Sequence, residues 1–140
     1  MTADLDAFAR SVFDAQPFSR LVGAELTDVG PDSAEIRVGR RPELLQQHGY
    51  VHGGVISYLA DNALTFAGGL ALGGDALTSG YTIDYVRPAA GEALVARAAA
   101  LATTRRQAVC QCSVYAVDGE SESLVAVAQG TIIAVPNSGG

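Results

Sequence analysis

Hydrophobic positions recur along this chain in two rhythms. Leu5, Phe8, Ala9, Val12 and Phe13 fall at helical spacing behind Asp4, a residue able to cap a first turn, and Pro17 lies beyond the predicted end. Residues 1–20 are therefore expected to form an N-terminal helix and turn. The period then shortens towards two. Ala24–Val29 and Ser33–Val38 read as short strands separated by the turn sequence Gly30-Pro31-Asp32. Arg40 to Val51 reads as a loop with one helical turn at Pro42–Leu45. From Gly53 to about Leu70 the apolar residues cover nearly every face, which predicts a long helix buried almost all round. Strands follow over Ala76–Val86, Glu92–Thr104, Gln107–Val117 and Leu124–Val135, broken by Arg87-Pro88 and Asp118-Gly119. Pro136 to Gly140 reads as a flexible tail. There is no repeat, low-complexity segment or internal linker. One α+β domain over residues 1–140 is expected, with a long central helix and a mostly antiparallel sheet of about six strands.

Composition narrows the function. Hydrophobic residues make up 49% and charged residues 17% of the chain, the reverse of a disordered balance. A net charge of −6 argues against a nucleic-acid partner, which calls for a basic stripe. All nine basic residues are Arg, so Schiff-base and pyridoxal chemistry, which needs a lysine amine, is excluded. The acidic start lacks an apolar signal core. Gly53–Leu72 comes closest to a membrane span, but Asp61, Asn62 and four glycines interrupt it. No membrane partner and a cytoplasmic location are expected. The two cysteines, Cys110 and Cys112, share one face of a predicted strand and read as buried thiols, with no metal or redox motif around them.

Candidate chemistry concentrates on the central helix. Asp61 is its only charge, and Ser57 and Thr65, four residues either side, complete a narrow polar stripe. A solvated face would account for these residues too. Such faces usually carry several Lys, Arg or Glu, however, and this one has a single acid. An isolated buried carboxylate is costly, so the fold must give it partners, neutralise it or open a cleft beside it. At the helix start, His52-Gly53-Gly54 allows close backbone approach, and free N–H groups there favour negative charge, the requirement of an oxyanion site. His52, Gly54, Ser57 and Thr65 are accordingly substrate-binding candidates. His52 suits a positioning role beside the helix start better than that of a general base.

Taken together, His48-Gly49-Tyr50-Val51-His52-Gly53-Gly54 followed by Leu59-Ala60-Asp61-Asn62-Ala63 resembles the signature of hotdog-fold thioesterases of the phenylacetate-pathway (PaaI-like) family. The resemblance runs on through Thr78–Pro88 and Val125–Val135. It implies a long helix wrapped by an antiparallel sheet, self-association into dimers and often tetramers, and hydrolysis of acyl-CoA with no metal or other cofactor. Residue by residue, it makes Asp61 the catalytic acid and Gly53 the N–H donor to the thioester oxygen. It sets Gln46 where the family often has Asn, with Gln47 and His48 able to take that place, and Thr78 where a hydroxyl assists the water. Arg105-Arg106, in a predicted turn, could pair with coenzyme A phosphates, and two solvated turn arginines explain the pair equally well. Two other functions fit the same fold. An acyl-thioester dehydratase or hydratase would use His48 or His52 with Asp61, but the Asp-x-Asn-Pro-x-x-His stretch is missing. A non-catalytic acyl-CoA-binding module would need a regulatory domain that the short first helix cannot supply. Tyr50, Tyr58, Phe66 and Tyr81 could line an aryl pocket or simply pack.

Overall fold

The computed structural model describes residues 2–136, so the expected tail lies, Pro136 apart, outside the described residues. In chain order the elements are α1 (Thr2–Asp14), α2 (Pro17–Val22), β1 (Ala24–Val29), β2 (Ser33–Gly39), a 3-10 turn (Pro42–Leu44), α3 (Gly53–Leu72), β3 (Ala76–Tyr85), β4 (Ala93–Thr103), β5 (Gln107–Asp118) and β6 (Ser121–Ala134). The six strands form one sheet in the order β1-β2-β4-β5-β6-β3, and every pairing is antiparallel. The sheet wraps α3, which packs against β2 through β6. This is the hotdog fold, an α+β architecture.

Burial explains why an all-apolar helix is stable here. Leu59, Ala60, Ala63, Leu64 and Ala67 are fully buried and pack in one core with Ile36, Val114, Val125 and Ile132. By length and composition α3 could cross a membrane, but in this fold it is the core helix of the sheet. Its small residues allow close contact. A Cβ built on Gly68 would lie 2.5 Å from the Cβ of Ile132, itself fully buried. Gly68→Ala gains up to about 1 kcal/mol of helix propensity, against roughly 1–3 kcal/mol for overpacking a filled core. The expected outcome is a net loss of up to about 2 kcal/mol, read as a lower urea midpoint at unchanged slope.

Two elements differ from the expectation. Pro17 lies beyond the end of α1, as expected, but the turn expected there is helical. Pro17 opens a second helix at a first-turn position, where its missing N–H costs nothing, and Gly23 ends that helix at φ 82°. β6 starts at Ser121, three residues before the expected Leu124, because the Asp118–Ser121 pair closes its hairpin with β5. The N-terminal layer is fastened by guanidinium groups on backbone carbonyls. Arg20 donates to Asp14 O, Arg41 to Leu21 O, and Arg10 to Leu26 O at 2.8 Å. Phe13 stacks on Phe66 with ring centroids 5.7 Å apart, joining α1 to the central helix.

Candidate active site

Asp61 lies half-buried on α3 beside the edge strand β3. Its Oδ1 accepts from the Thr78 hydroxyl at 2.6 Å, and Thr78 Oγ is 2.6 Å from Thr65 Oγ. A carboxylate oxygen accepts here, so Thr78 donates to Asp61, and the single proton of Thr65 is shared between Thr78 Oγ and the carbonyl of Asp61. Thr65 also reaches the carbonyl of Asp61 at 2.8 Å, one helical turn back. Among the described residues Asp61 Oδ2 makes no hydrogen bond, which leaves one carboxylate oxygen facing the cleft that Asp61 lines. The stripe read along the helix is thus resolved into two hydroxyl contacts with β3. Thr65 and Asp61 share Thr78, while Ser57 Oγ pairs with the Tyr81 hydroxyl at 2.5 Å.

A β-bulge makes both contacts possible. Thr78 and Tyr81 are three residues apart and would face opposite ways in a regular strand. Ser79 has no partner on β6, since Thr78 pairs with Ile132 and Gly80 with Thr131. This extra residue resets the alternation, so both hydroxyls turn towards α3.

On the other side of Asp61 lies a polar cluster. The buried Ser19 bonds Gln16 Oε1 at 2.6 Å and the Tyr58 hydroxyl at 2.5 Å, and Asn62 Nδ2 donates to Gln16 Oε1 at 3.0 Å and to Tyr58 at 3.2 Å. Burial raises the Tyr58 pKa, opposed in part by the bonds to Ser19 and Asn62, so this hydroxyl stays neutral. These residues line the Asp61 cleft and join α2 to the central helix.

The helix start is arranged differently. His52 is the N-cap, and its Nδ1 accepts the N–H of Gly54 at 2.8 Å. A Cβ on Gly54 would lie 3.0 Å from that nitrogen, so glycine leaves room for the cap. With Gly54 consumed, the N–H of Gly53 is the free donor of the helix start among the described residues, and Tyr85 donates to Gly53 O, in the following peptide, at 3.1 Å. Gln46, His48, Tyr50, Tyr85 and Arg87 share this second cleft with Gly53. Gln46 Oε1 accepts from the backbone N–H of His48 at 2.5 Å, which ties the side chain to its own loop.

The expected residues therefore fall into separate places within one chain. Asp61, Thr65 and Thr78 form one group, while Gly53 and Gln46 lie in a cleft that shares no lining residue with the Asp61 cleft. Arg105 and Arg106 are exposed in the β4–β5 turn at the other end of the sheet, where Arg106 O accepts from Ala134. The cation in the Gly53 cleft is Arg87, which sequence reading used only as a strand breaker. Tyr85, Gln16 and Ser19 were likewise not assigned to the site, and Tyr58 and Tyr81 were named only as aryl-pocket or packing residues. Among the described residues no three His, Cys, Asp or Glu groups gather in a way that could hold a metal.

Cys110 and Cys112 are unpaired and buried, and burial pushes their thiols up to about 11 and about 12. The native protein should not react with an aromatic disulfide reagent over minutes near neutral pH, whereas the unfolded chain should titrate both thiols. Labelling of the native protein at the unfolded rate would contradict the observed packing.

Comparison with known proteins gives the same picture. The Thioesterase superfamily profile matches residues 48–123. A Mycobacterium tuberculosis protein whose name describes it provisionally as an esterase, Rv1847, is 32% identical over 96 residues, 65% of this chain and 69% of that protein. A thioesterase family protein from Silicibacter pomeroyi superposes with a TM-score of 0.89 at 27% identity, over 94% of this chain and 98% of that one. The phenylacetic acid degradation protein PaaI of Thermus thermophilus superposes with a TM-score of 0.76 at 30% identity, over 86% of this chain and all of that one (100%). With its profile match over more than half its length and its hotdog architecture, the chain belongs to the Thioesterase superfamily, which supports thioester hydrolysis as its general activity.

Proposed function

We propose that the protein is an acyl-CoA thioesterase, releasing a free acid and coenzyme A with Asp61 as the residue that drives the reaction. The observation that carries this reading is the Asp61–Thr78–Thr65 chain, a lone helix carboxylate with one oxygen held and the other open to a cleft. The open oxygen can take a proton from water as the water attacks the thioester carbon, and can return it to the sulfur as the C–S bond breaks and the thiol leaves. The negative charge that develops on the carbonyl oxygen needs a donor, and Gly53 N–H at a helix start suits it. Water, a base and a donor suffice, so the reading requires no cofactor.

Separation of the two clefts supports a site shared between two chains. Gly53 and Asp61 are eight residues apart on α3, about 12 Å along the axis at 1.5 Å per residue. Both must act within about 3 Å of one thioester. A two-fold dimer with antiparallel central helices, joined along the free edge of β3, brings Gly53 and Gln46 of one protomer towards Asp61 of the other. The same operation sets the Arg105–Arg106 turn at the end of the dimer that carries the partner's Gly53 cleft. Coenzyme A phosphates are then met by Arg87, by that turn, or by both. Further pairing into tetramers and a cytoplasmic setting complete the proposal, the latter in keeping with two unpaired thiols.

The test is release of coenzyme A thiol from acyl-CoA in the presence of a thiol reagent, for which the buried cysteines provide a silent background. Steady turnover supports the reading. Binding without thiol release would point instead to a carrier module, and reversible hydration of an enoyl thioester to a hydratase.

A further inference from the structure

An apolar cleft runs between α1 and α3. Leu5, Phe8 and Val12 form one wall, Phe66 and Leu70 the other, and Ala76 at the start of β3 lies towards its far end. The cleft shares Val12, Gln16 and Thr65 with the cleft that Asp61 lines. Since Thr65 bonds Thr78 and Thr78 bonds Asp61, the apolar walls begin one hydroxyl away from the acid.

We propose that this cleft is the acyl pocket and that it takes an uncharged straight chain of medium length. The proposal rests on the thioesterase reading of Asp61. Three observations select the occupant. The walls are hydrocarbon, and Phe8 leaves 47% of its surface exposed beside them, an apolar area that a ligand would cover. The cavity is small, about 110 Å³. It is also narrow: its α3 wall runs from Thr65 to Leu70, about 7.5 Å along the axis, which leaves a mean section of about 15 Å², and Asp61 lies about 6 Å further back. A chain fits that shape better than a ring. Charge excludes a further class. Asp75 lines the far end and Asp61 lies beyond the near end, so an acyl group with its own terminal carboxylate would meet like charge at either end. The N-terminal helix, which contributes nothing to the proposed chemistry, thereby sets which thioesters are cleaved.

The experiment measures kcat/KM for acetyl-, butyryl-, hexanoyl-, octanoyl-, decanoyl- and phenylacetyl-CoA on the intact protein, on Phe8→Ala and on Ala76→Leu. With the intact protein the value should rise about three- to fourfold per methylene until the cleft is full, the effect of burying each CH2. Phe8→Ala opens a half-exposed wall at little cost to folding. It should lower the value for decanoyl-CoA about tenfold, and by less for each shorter chain. Ala76→Leu shortens the cleft and should move the plateau to shorter chains. A flat chain-length profile, phenylacetyl-CoA exceeding every straight chain, or variants that change all substrates equally would overturn the proposal. If no thioester is cleaved, the thioesterase reading falls, and calorimetric titration with the uncleavable S-decyl-CoA thioether decides the pocket. Binding weakened by both variants upholds it, and no binding, or binding that neither variant weakens, removes it.

Discussion

Asp61→Asn should lower kcat on acyl-CoA by at least about a hundredfold while leaving the fold and the melting temperature close to those of the parent. The amide keeps the shape of the carboxyl group and keeps an oxygen to accept from Thr78, so the hydroxyl chain to Thr65 survives. What it loses is the ability to take a proton, and general-base catalysis is worth about 10²–10⁴ in rate. A smaller effect is expected from Thr78→Val, which removes one hydrogen bond to the acid and leaves the base in place. Ordering the two variants is informative, because a purely structural role for the chain would make the Thr78 change the more damaging. Retained turnover in a folded Asp61→Asn protein would remove the central claim.

Mixed dimers should recover activity from two inactive parents. Asp61→Ala and Gln46→Ala, each inactive alone and then co-refolded, produce mixed dimers with one doubly damaged site and one intact site if the site is shared. Random pairing makes about half the dimers mixed, so about a quarter of the wild-type rate should return. The structure strengthens the choice of residues, since Gln46 lines the cleft of Gly53 and not that of Asp61. A mixture that stays inactive after proven exchange would assign both residues to one chain's site. The tie between Gln46 and the N–H of His48 adds a condition: Gln46→Ala can also loosen its loop, and a Gln46→Glu variant, which keeps that acceptor, separates the two effects.

The central helix and the strands were legible because each rests on local periodicity. A continuous apolar run ending in glycines can only be a core helix in a chain of this size, and its single acid marks the polar side. α2 was not legible, because six residues are too short to show a helical period, and a proline that opens a helix looks like one that ends it. The partners of the acid were hidden for a different reason. Thr78 was named only through a family resemblance, and Tyr81 could not be placed on the same face while strand alternation was assumed. The unpaired Ser79 breaks that assumption, and no residue pattern announces it. Gln16 and Asn62 are 46 positions apart, so their bond is a product of tertiary packing alone. Arg87 was read as punctuation before Pro88, a role it has as well.

The arginine ties of the N-terminal layer have a consequence for the conditions under which the proposed pocket survives. A guanidinium group stays charged at any pH a protein endures, whereas an ammonium would release its carbonyl in strong alkali. Arg10, Arg20 and Arg41 grip neutral backbone oxygens, so salt that screens ion pairs does little to these contacts. The surface pairs of Arg97 with Glu35 and Glu122, on the sheet, and of Arg10 with Asp6, within α1, are of the screened kind. The α1 wall thus keeps its ties to neutral oxygens when its one ion pair is screened, and preference among acyl chains should persist in brine and in alkaline buffer alike.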